Sequence, residues 1–401
     1  MPPARRLAVA VAFVAVLLLL ARAWRNVQVP VGDFSAYWVA GHALLEHGNP
    51  YDSHYALNLQ HAVGARSDIA YVMRNPPWLL FLTVPLGLLS YSSAWLLWNC
   101  ALIVSLAVSA RLVWTVYGGR ASLVPLFVTF AFAPTLACLS VGQTAPLVLL
   151  GIAAFLRLQS RHEFCAGLAL VLAAAKPQLL LPFWLLLLIW SVQARKWRII
   201  AGAATGAVLS TAIAMLFDHA VVTHFFRMLP AESIQMQFIP SLGGWLRWMF
   251  GPPWLQVAPA FVGIAWAVAH YVRHRSVWRW EERLPMLLVS VLVAPYAWLL
   301  DEVVILPALL IAALRLLPNA IWRVPFAVAF AAVNAGIVVA LISGIRIVSP
   351  YYVWTVWIWL AFFLLAGYAQ PSCVSKVLTG MSSRAQQAAG ERSRGTLRFR
   401  G

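Results

Sequence analysis

The stretch Asp33-Phe-Ser-Ala-Tyr37-Trp38, continuing to Gly48-Asn49-Pro50-Tyr51, holds the residue types best suited to chemistry in this chain. It follows an apolar run, so Asp33 stands where a hydrophobic segment meets water. A carboxylate there can serve as a general base if it comes within hydrogen-bond reach of a hydroxyl. Asp33 also stands at a good N-cap position for a helix, where accepting a backbone hydrogen bond is worth about 0.5–2 kcal/mol. The roles are compatible, because a capping carboxylate keeps one oxygen free. Farther along, Lys176 lies between apolar runs beside Pro177. A cation inside a span costs about 2.5–3.5 kcal/mol by insertion scales and commonly marks function, although a lysine near a span end can also snorkel to the interface. Asp301-Glu302 interrupts the apolar stretch from Leu284 to Leu317. A tight turn between two spans explains both acids, or Asp301 binds a substrate hydroxyl or partners a basic group.

The elements that must position these residues follow from composition. Hydrophobic residues make up 62% of the 401-residue chain and charged residues 10%, with a mean hydropathy of +0.81. A soluble domain carries about a quarter charged residues. The fold class expected is an all-α integral membrane protein, since helices satisfy their own backbone in lipid. Apolar runs near the roughly 20 residues that span hydrocarbon are expected at 7–24, 94–112, 121–139, 144–158, 164–176, 177–191, 198–217, 254–271, 285–300, 302–317, 321–343 and 351–369, giving about twelve crossings. The short runs flanking Lys176-Pro177 read as a hairpin or a broken re-entrant pair. Residues 76–90 read as a re-entrant or interfacial helix.

With the N-terminus in the cytoplasm, most of the 29 Lys and Arg fall on the cytoplasmic side, as the positive-inside rule requires. Asp33, Asp218, Asp301 and Glu302 then fall outside. Two outer loops, 25–93 and 218–253, are long enough to build a site. The first is expected to open with an amphipathic interfacial helix from Asp33, stopped by Gly48. Residues 1–370 form the membrane domain, and 371–401 a basic, disordered cytoplasmic tail.

The net charge of +17 is dispersed over span ends and the tail, which suits orientation and contact with anionic lipid, not nucleic acid. The four cysteines suggest no disulfide framework. The outer histidines His42, His47, His54, His61, His219 and His224 lack compact ligand spacing, so neither a metal site nor a cofactor is expected. Trp38, Trp78, Trp245 and Trp298 are placed to stack on a sugar or line a lipid groove.

The motifs occur in an order that resembles the GT-C membrane glycosyltransferases, most closely glycosyltransferase family 87, the polyprenyl-phosphate-mannose-dependent alpha-mannosyltransferases. They are Asp33-Phe-x-x-Tyr37 with Gly48-Asn-Pro50-Tyr51, Asn75-Pro76-Pro77 leading to Pro85-Leu86, and Gly142-Gln143. Ala166-Gly167 leading to Ala175-Lys176-Pro177, then Ala294-Pro295-x-x-Trp298-x-x-Asp301, complete the set. The similarity runs from residue 7 to about 370. Two departures stand out: Gln237-Phe-Ile-Pro-Ser241-Leu242 with Arg247 is a loose form of a family pattern, and Leu299-Leu300-Asp301 stands where many members carry paired histidines.

The resemblance implies Asp33 as catalytic base in an inverting transfer, with Lys176, Arg247 and Arg74 binding the donor phosphate and Arg227 as a weaker candidate. Tyr37, Gln143, Trp298 and Asp301 would bind substrate. The implied partners are a polyprenyl-phosphate-sugar donor and a lipid or glycan acceptor at the outer face of a bacterial cytoplasmic membrane. The competing reading is a polytopic transporter or lipid flippase, which would place its site at discontinuous helices near the midplane.

Overall fold

A computed structural model describes residues 31–231 and 238–368. The first apolar segment, 7–24, and the tail, 371–401, lie outside the described residues. Those described are helical, with no strand among them. In chain order the α-helices are α1 (Asp33–Leu45), α2 (Ser53–Ala62), α3 (Val84–Gly87), α4 (Tyr91–Val116), α5 (Val124–Phe130), α6 (Ala133–Val141), α7 (Ala145–Leu158), α8 (Glu163–Ala173) and α9 (Leu181–Gln193). They continue with α10 (Trp197–Met215), α11 (Val221–Ala231), α12 (Leu242–Phe250), α13 (Ala258–His274), α14 (Pro285–Val293), α15 (Leu306–Leu316), α16 (Arg323–Ile342) and α17 (Thr355–Tyr368).

Among the described residues four helical stretches are long and apolar enough to cross a membrane: Tyr91–Val116, Trp197–Met215, Arg323–Ile342 and Pro350–Gly367. Two bent pairs raise the number to six: Val124–Phe130 with Ala133–Val141, bent by 61°, and Glu163–Ala173 with Pro177–Gln193, bent by 117°. The twelve full crossings expected from hydropathy are therefore not reproduced. Proline is one physical reason. Residues 285–300 were expected as one span, but Ala294, which precedes Pro295, is extended (φ −58°, ψ 134°) and α14 stops at Val293. A residue before proline is pushed out of the helical region and proline has no N–H to give. The freed backbone finds a partner, for Gln256 Nε2 donates to the Pro295 carbonyl. The segment 77–87 forms two short helices, a 3₁₀ turn at Pro77–Leu82 and α3, neither long enough to cross.

Small residues let the helices approach closely. A Cβ on Gly167 of α8 would lie 2.1 Å from the Ile199 carbonyl oxygen, and one on Gly202 of α10 would lie 2.1 Å from that of Phe164. Glycine faces of this kind are how membrane helices gain packing contact when lipid offers no hydrophobic drive. The outward faces are apolar, with Leu96, Leu97, Ile103, Val104 and Val108 of α4 exposed.

The bundle has two distinguishable ends. At one, His47 Nδ1 lies 2.8 Å from the Phe217 carbonyl oxygen and Tyr51 packs on Phe225, joining the two loops predicted to share a side. At the other, Tyr117 donates to the Glu281 carbonyl at 2.6 Å, Gln159 to the Glu281 carboxylate at 3.0 Å, and Tyr271 to Gln193 at 2.8 Å. Helices α7, α14 and α15 have 14, 9 and 11 residues, so they run only about 13–21 Å against about 39 Å for the 26-residue α4. The turn 299–305 that leads from α14 to α15 is buried throughout.

Candidate functional site

Helix α1 forms where the sequence predicts it, but it does not lie on an interface. Phe34, Tyr37, Trp38, Val39, Ala40 and Leu44 are all buried, which leaves no polar face. Phe34 packs on Tyr91 and Trp95, and Trp38 Nε1 donates to the Leu89 carbonyl at 2.9 Å. At Gly41 the helix meets α3 so closely that a Cβ would lie 2.2 Å from the Thr83 carbonyl oxygen. The helix ends at Leu45, and His47 takes the left-handed conformation (φ 56°) that was expected of Gly48.

This packing fixes Asp33. The N-cap position belongs to Gly32, which is extended, and no side chain caps the helix. Asp33 is the first helical residue, half-buried, and its carboxylate takes no hydrogen bond among the described residues. The capping role is thus absent, and both oxygens are uncommitted among the described residues. Burial pushes its carboxyl above the usual range; Lys176 pulls it back down, Asp301 pushes it up and Arg74 lowers it again. These opposing influences place all four side chains in one neighbourhood.

Lys176 arrives through the 117° break between α8 and the turn at Pro177–Leu180. It is 9% exposed and Asp301 is fully buried, and Lys176 Nζ donates to Asp301 Oδ1 at 2.7 Å. Snorkelling is ruled out by this geometry, as is an exposed turn at 301–302. Gln143 Nε2 donates to the same oxygen at 3.2 Å, and the Trp298 backbone N–H to Oδ2 at 3.0 Å. Both oxygens of Asp301 are engaged. Gln143 is aimed by Gly142, which is left-handed (φ 71°) and pressed against Phe34 and Trp95, where a Cβ would stand 2.8 Å from each. The Gly142 carbonyl accepts from Trp98 Nε1 at 2.6 Å, and Trp98 packs on Tyr37 with the rings tilted by 47° and their centroids 5.3 Å apart. Tyr37 in turn bonds to Thr144. Asp33, Tyr37, Gln143, Lys176 and Asp301, expected at the site from separate motifs, therefore come together.

Asn75 was quoted as part of a motif but not as a site residue, and the structure gives it a central place. Buried, it donates through Nδ2 to the Ala175 carbonyl at 2.8 Å and to Thr144 Oγ1 at 3.5 Å, while its own carbonyl accepts from Tyr51 at 3.1 Å. It thus ties the first loop to the residues preceding Lys176 and α7. Trp78 Nε1 adds a bond to the Ala174 carbonyl at 3.0 Å. The available signal was a polar residue directly before Pro76-Pro77 and an apolar run.

Other expected residues are placed elsewhere. Arg247 lies in α12, which packs on α13, α14 and residues 350–354, and no described contact joins it to the Asp33 group. Arg227 is exposed on α11, and the Trp245 side chain is exposed. Trp298 contributes its backbone N–H to Asp301, while its half-buried ring faces a small cleft with Ser241, Leu242, Glu302 and Trp357. Glu302 points away from Asp301, accepting from Thr355 Oγ1 and, at 2.8 Å, from Trp359 Nε1. Among the described residues no group of three or more His, Cys, Asp and Glu could hold a metal ion.

Chemically, the cluster offers an uncommitted carboxylate raised toward neutrality, a tethered ammonium and a nearby guanidinium. The first can take a proton from a hydroxyl, and the cations favour an anionic group beside it. No curated protein and no solved structure matches the chain. The sequence model of glycosyltransferase family 87 matches residues 74–300, more than half of the chain. Arg74, Asn75, Gln143, Lys176 and Trp298 fall inside that stretch, Asp301 one residue beyond it and Asp33 well upstream. The chain belongs to glycosyltransferase family 87, and it is a membrane glycosyltransferase.

Proposed function

We propose that the protein transfers a sugar, mannose, from a polyprenyl-phosphate donor to a lipid or glycan acceptor, with inversion, at the outer face of a bacterial cytoplasmic membrane. The reading rests on one observation: Asp33 presents a carboxylate with no hydrogen bond among the described residues, in the electrostatic neighbourhood of Lys176 and Arg74. In this mechanism Asp33 takes the proton of the acceptor hydroxyl, and its oxygen bonds to the anomeric carbon. The bond from that carbon to the phosphate oxygen breaks, and the leaving polyprenyl phosphate carries its charge to Lys176 and Arg74. Lys176 stays oriented because Asp301 binds it, and Gln143 and Trp298 hold Asp301. Tyr37 and Gln143 are the residues assigned to the sugar.

The buried positions of Lys176 and Asp301 suit a donor that enters from the bilayer, because a water-soluble nucleotide sugar would need no such depth. The test is transfer of label from radiolabelled polyprenyl-phosphate-mannose to an envelope-lipid pool by purified protein in lipid, wild type beside Asp33→Asn. Label from the wild type alone supports the assignment. Equal labelling by a folded Asp33→Asn protein removes Asp33 as base. The broken helix pair at Lys176 is also a feature of transporters, and transport of the labelled lipid across vesicles without transfer would favour that reading.

A further inference from the structure

The end of the bundle opposite Asp33 carries a feature that sugar transfer does not use. On α13, residues 262, 266, 270 and 274 follow one another at four-residue steps and so share a face. The face begins apolar, with Val262 70% and Trp266 41% exposed, beside Phe261 at 69%. It ends polar: Trp266 lies flat on His270 with centroids 5.1 Å apart and planes 14° apart, and His270 and His274 are 4.5 Å apart. His274, Arg283 and Arg273 are all near enough to act electrostatically on His270.

The charge there is only partly compensated, four arginines (Arg273, Arg275, Arg279, Arg283) standing against Glu281 and Glu282. Glu282 pairs with Arg279 at 3.1 Å, and the Glu281 carboxylate takes the Gln159 amide. Among the described residues no carboxylate pairs with Arg273, Arg275 or Arg283. Arg283 instead rests over Trp278, 5.6 Å from the ring centroid. Among the described residues Arg283 Nε and Trp278 Nε1 are buried donors without an acceptor, and Trp278 is 9% exposed. Buried donors in native proteins are nearly always paired, so these two mark a place where an acceptor is missing.

We propose that this face binds one anionic phospholipid, its phosphate against Arg273, Arg283 and the His270–His274 pair, and its acyl chains along Phe261, Val262 and Trp266. Charge complementarity selects the headgroup, and the change from apolar to cationic along one helix face matches the length of a lipid more closely than that of a free anion. The site is independent of the sugar-transfer reading. Arginine suits it because its planar fork binds phosphate through two parallel N–H groups.

The test is native mass spectrometry of the full chain released from nanodiscs of phosphatidylglycerol and phosphatidylcholine, comparing wild type, R273Q/R283Q and the control R111Q/R120Q. Wild type and control should retain phosphatidylglycerol over phosphatidylcholine, and R273Q/R283Q should lose about tenfold of that preference. Should R283Q fail to fold, R273Q with H274Q carries the same test. Equal retention by R273Q/R283Q and wild type overturns the proposal. So does displacement of the lipid by millimolar inorganic phosphate, which would make the site one for a free anion.

Discussion

The chain around Asp33 and the chain around Asp301 each bring a carboxylate to the same neighbourhood, and they treat it in opposite ways. Asp301 is fully buried and takes three hydrogen bonds, from Lys176, Gln143 and the Trp298 backbone. Asp33 opens a helix whose cap is Gly32, takes no bond among the described residues and stays half-buried. A carboxylate with both oxygens engaged serves as scaffold, because moving a proton onto it would disturb the bonds that hold it. One that is desolvated but unbonded is a reagent. The difference is one of local chain geometry, for the residue type is the same.

The comparison breaks most sharply at Asp33. Asp33→Asn should lower sugar transfer by about 10²–10⁴-fold, the range for removing a general base. Its melting temperature should match wild type, since no hydrogen bond or cap is lost. Parallel transfer assays and thermal melts check this, and a large drop in melting temperature would show that the carboxylate had a structural role after all.

Lys176→Met tests the other side. It leaves the Asp301 charge buried and unpaired, a change that costs about 3–5 kcal/mol, whereas replacing both partners by apolar residues is often neutral. Lys176→Met/Asp301→Leu should therefore melt higher than Lys176→Met alone yet remain inactive. Recovery of activity along with stability would mean that the pair is structural only. Denaturation of the two single variants and the double variant in detergent, with transfer assays on each, gives both readings.

Much of this was legible in the sequence, and the failures are instructive. Apolar run length located the helices of the bundle, and α4, α10 and α16 match the expected spans within a few residues, but α2, α11 and α12 in the expected outer loops were not foreseen. The broken pair at Lys176-Pro177 was also foreseen. What hydropathy could not give was span length, because a run such as 285–300 is continuous in polarity but not in backbone once Pro295 is counted. Nor could it tell a lipid-facing helix from a buried one. Helix α1 is apolar on one side and merely small on the other (Ser35, Ala36, Ala43), and small residues are what close packing requires. Glu302 read as part of a tight outer turn because pairing over 57 residues to Trp359 leaves no local trace, whereas for Asp301 a basic partner was one of the open readings, though which base, 125 residues away, could not be seen.

The pH dependence sharpens the contrast in a graded way. Burial raises the Asp33 carboxyl and Lys176 and Arg74 oppose it. Transfer needs the ionised form, so kcat/KM should fall as pH drops through a midpoint above the usual carboxylate range, about tenfold per unit below it. Arg74→Gln removes one lowering influence, so its midpoint should move to higher pH. A midpoint that stays put in Arg74→Gln would assign the titration to a group other than Asp33.

The smallest effect is expected at Glu302, the neighbour that faces away. Its carboxylate accepts from Thr355 and Trp359 and so fastens α17 to the 3₁₀ turn that carries Asp301. Glu302→Leu removes both acceptors: Thr355 Oγ1 keeps the Tyr352 carbonyl as its acceptor, and the buried Trp359 N–H is left unpaired. A buried donor without its acceptor costs about 1–3 kcal/mol, so the melt should move down modestly while kcat per folded molecule stays near wild type. If kcat falls tenfold with the fold intact, then the Asp301 turn owes its position to α17, and the division between scaffold and reagent would extend one residue beyond the ion pair.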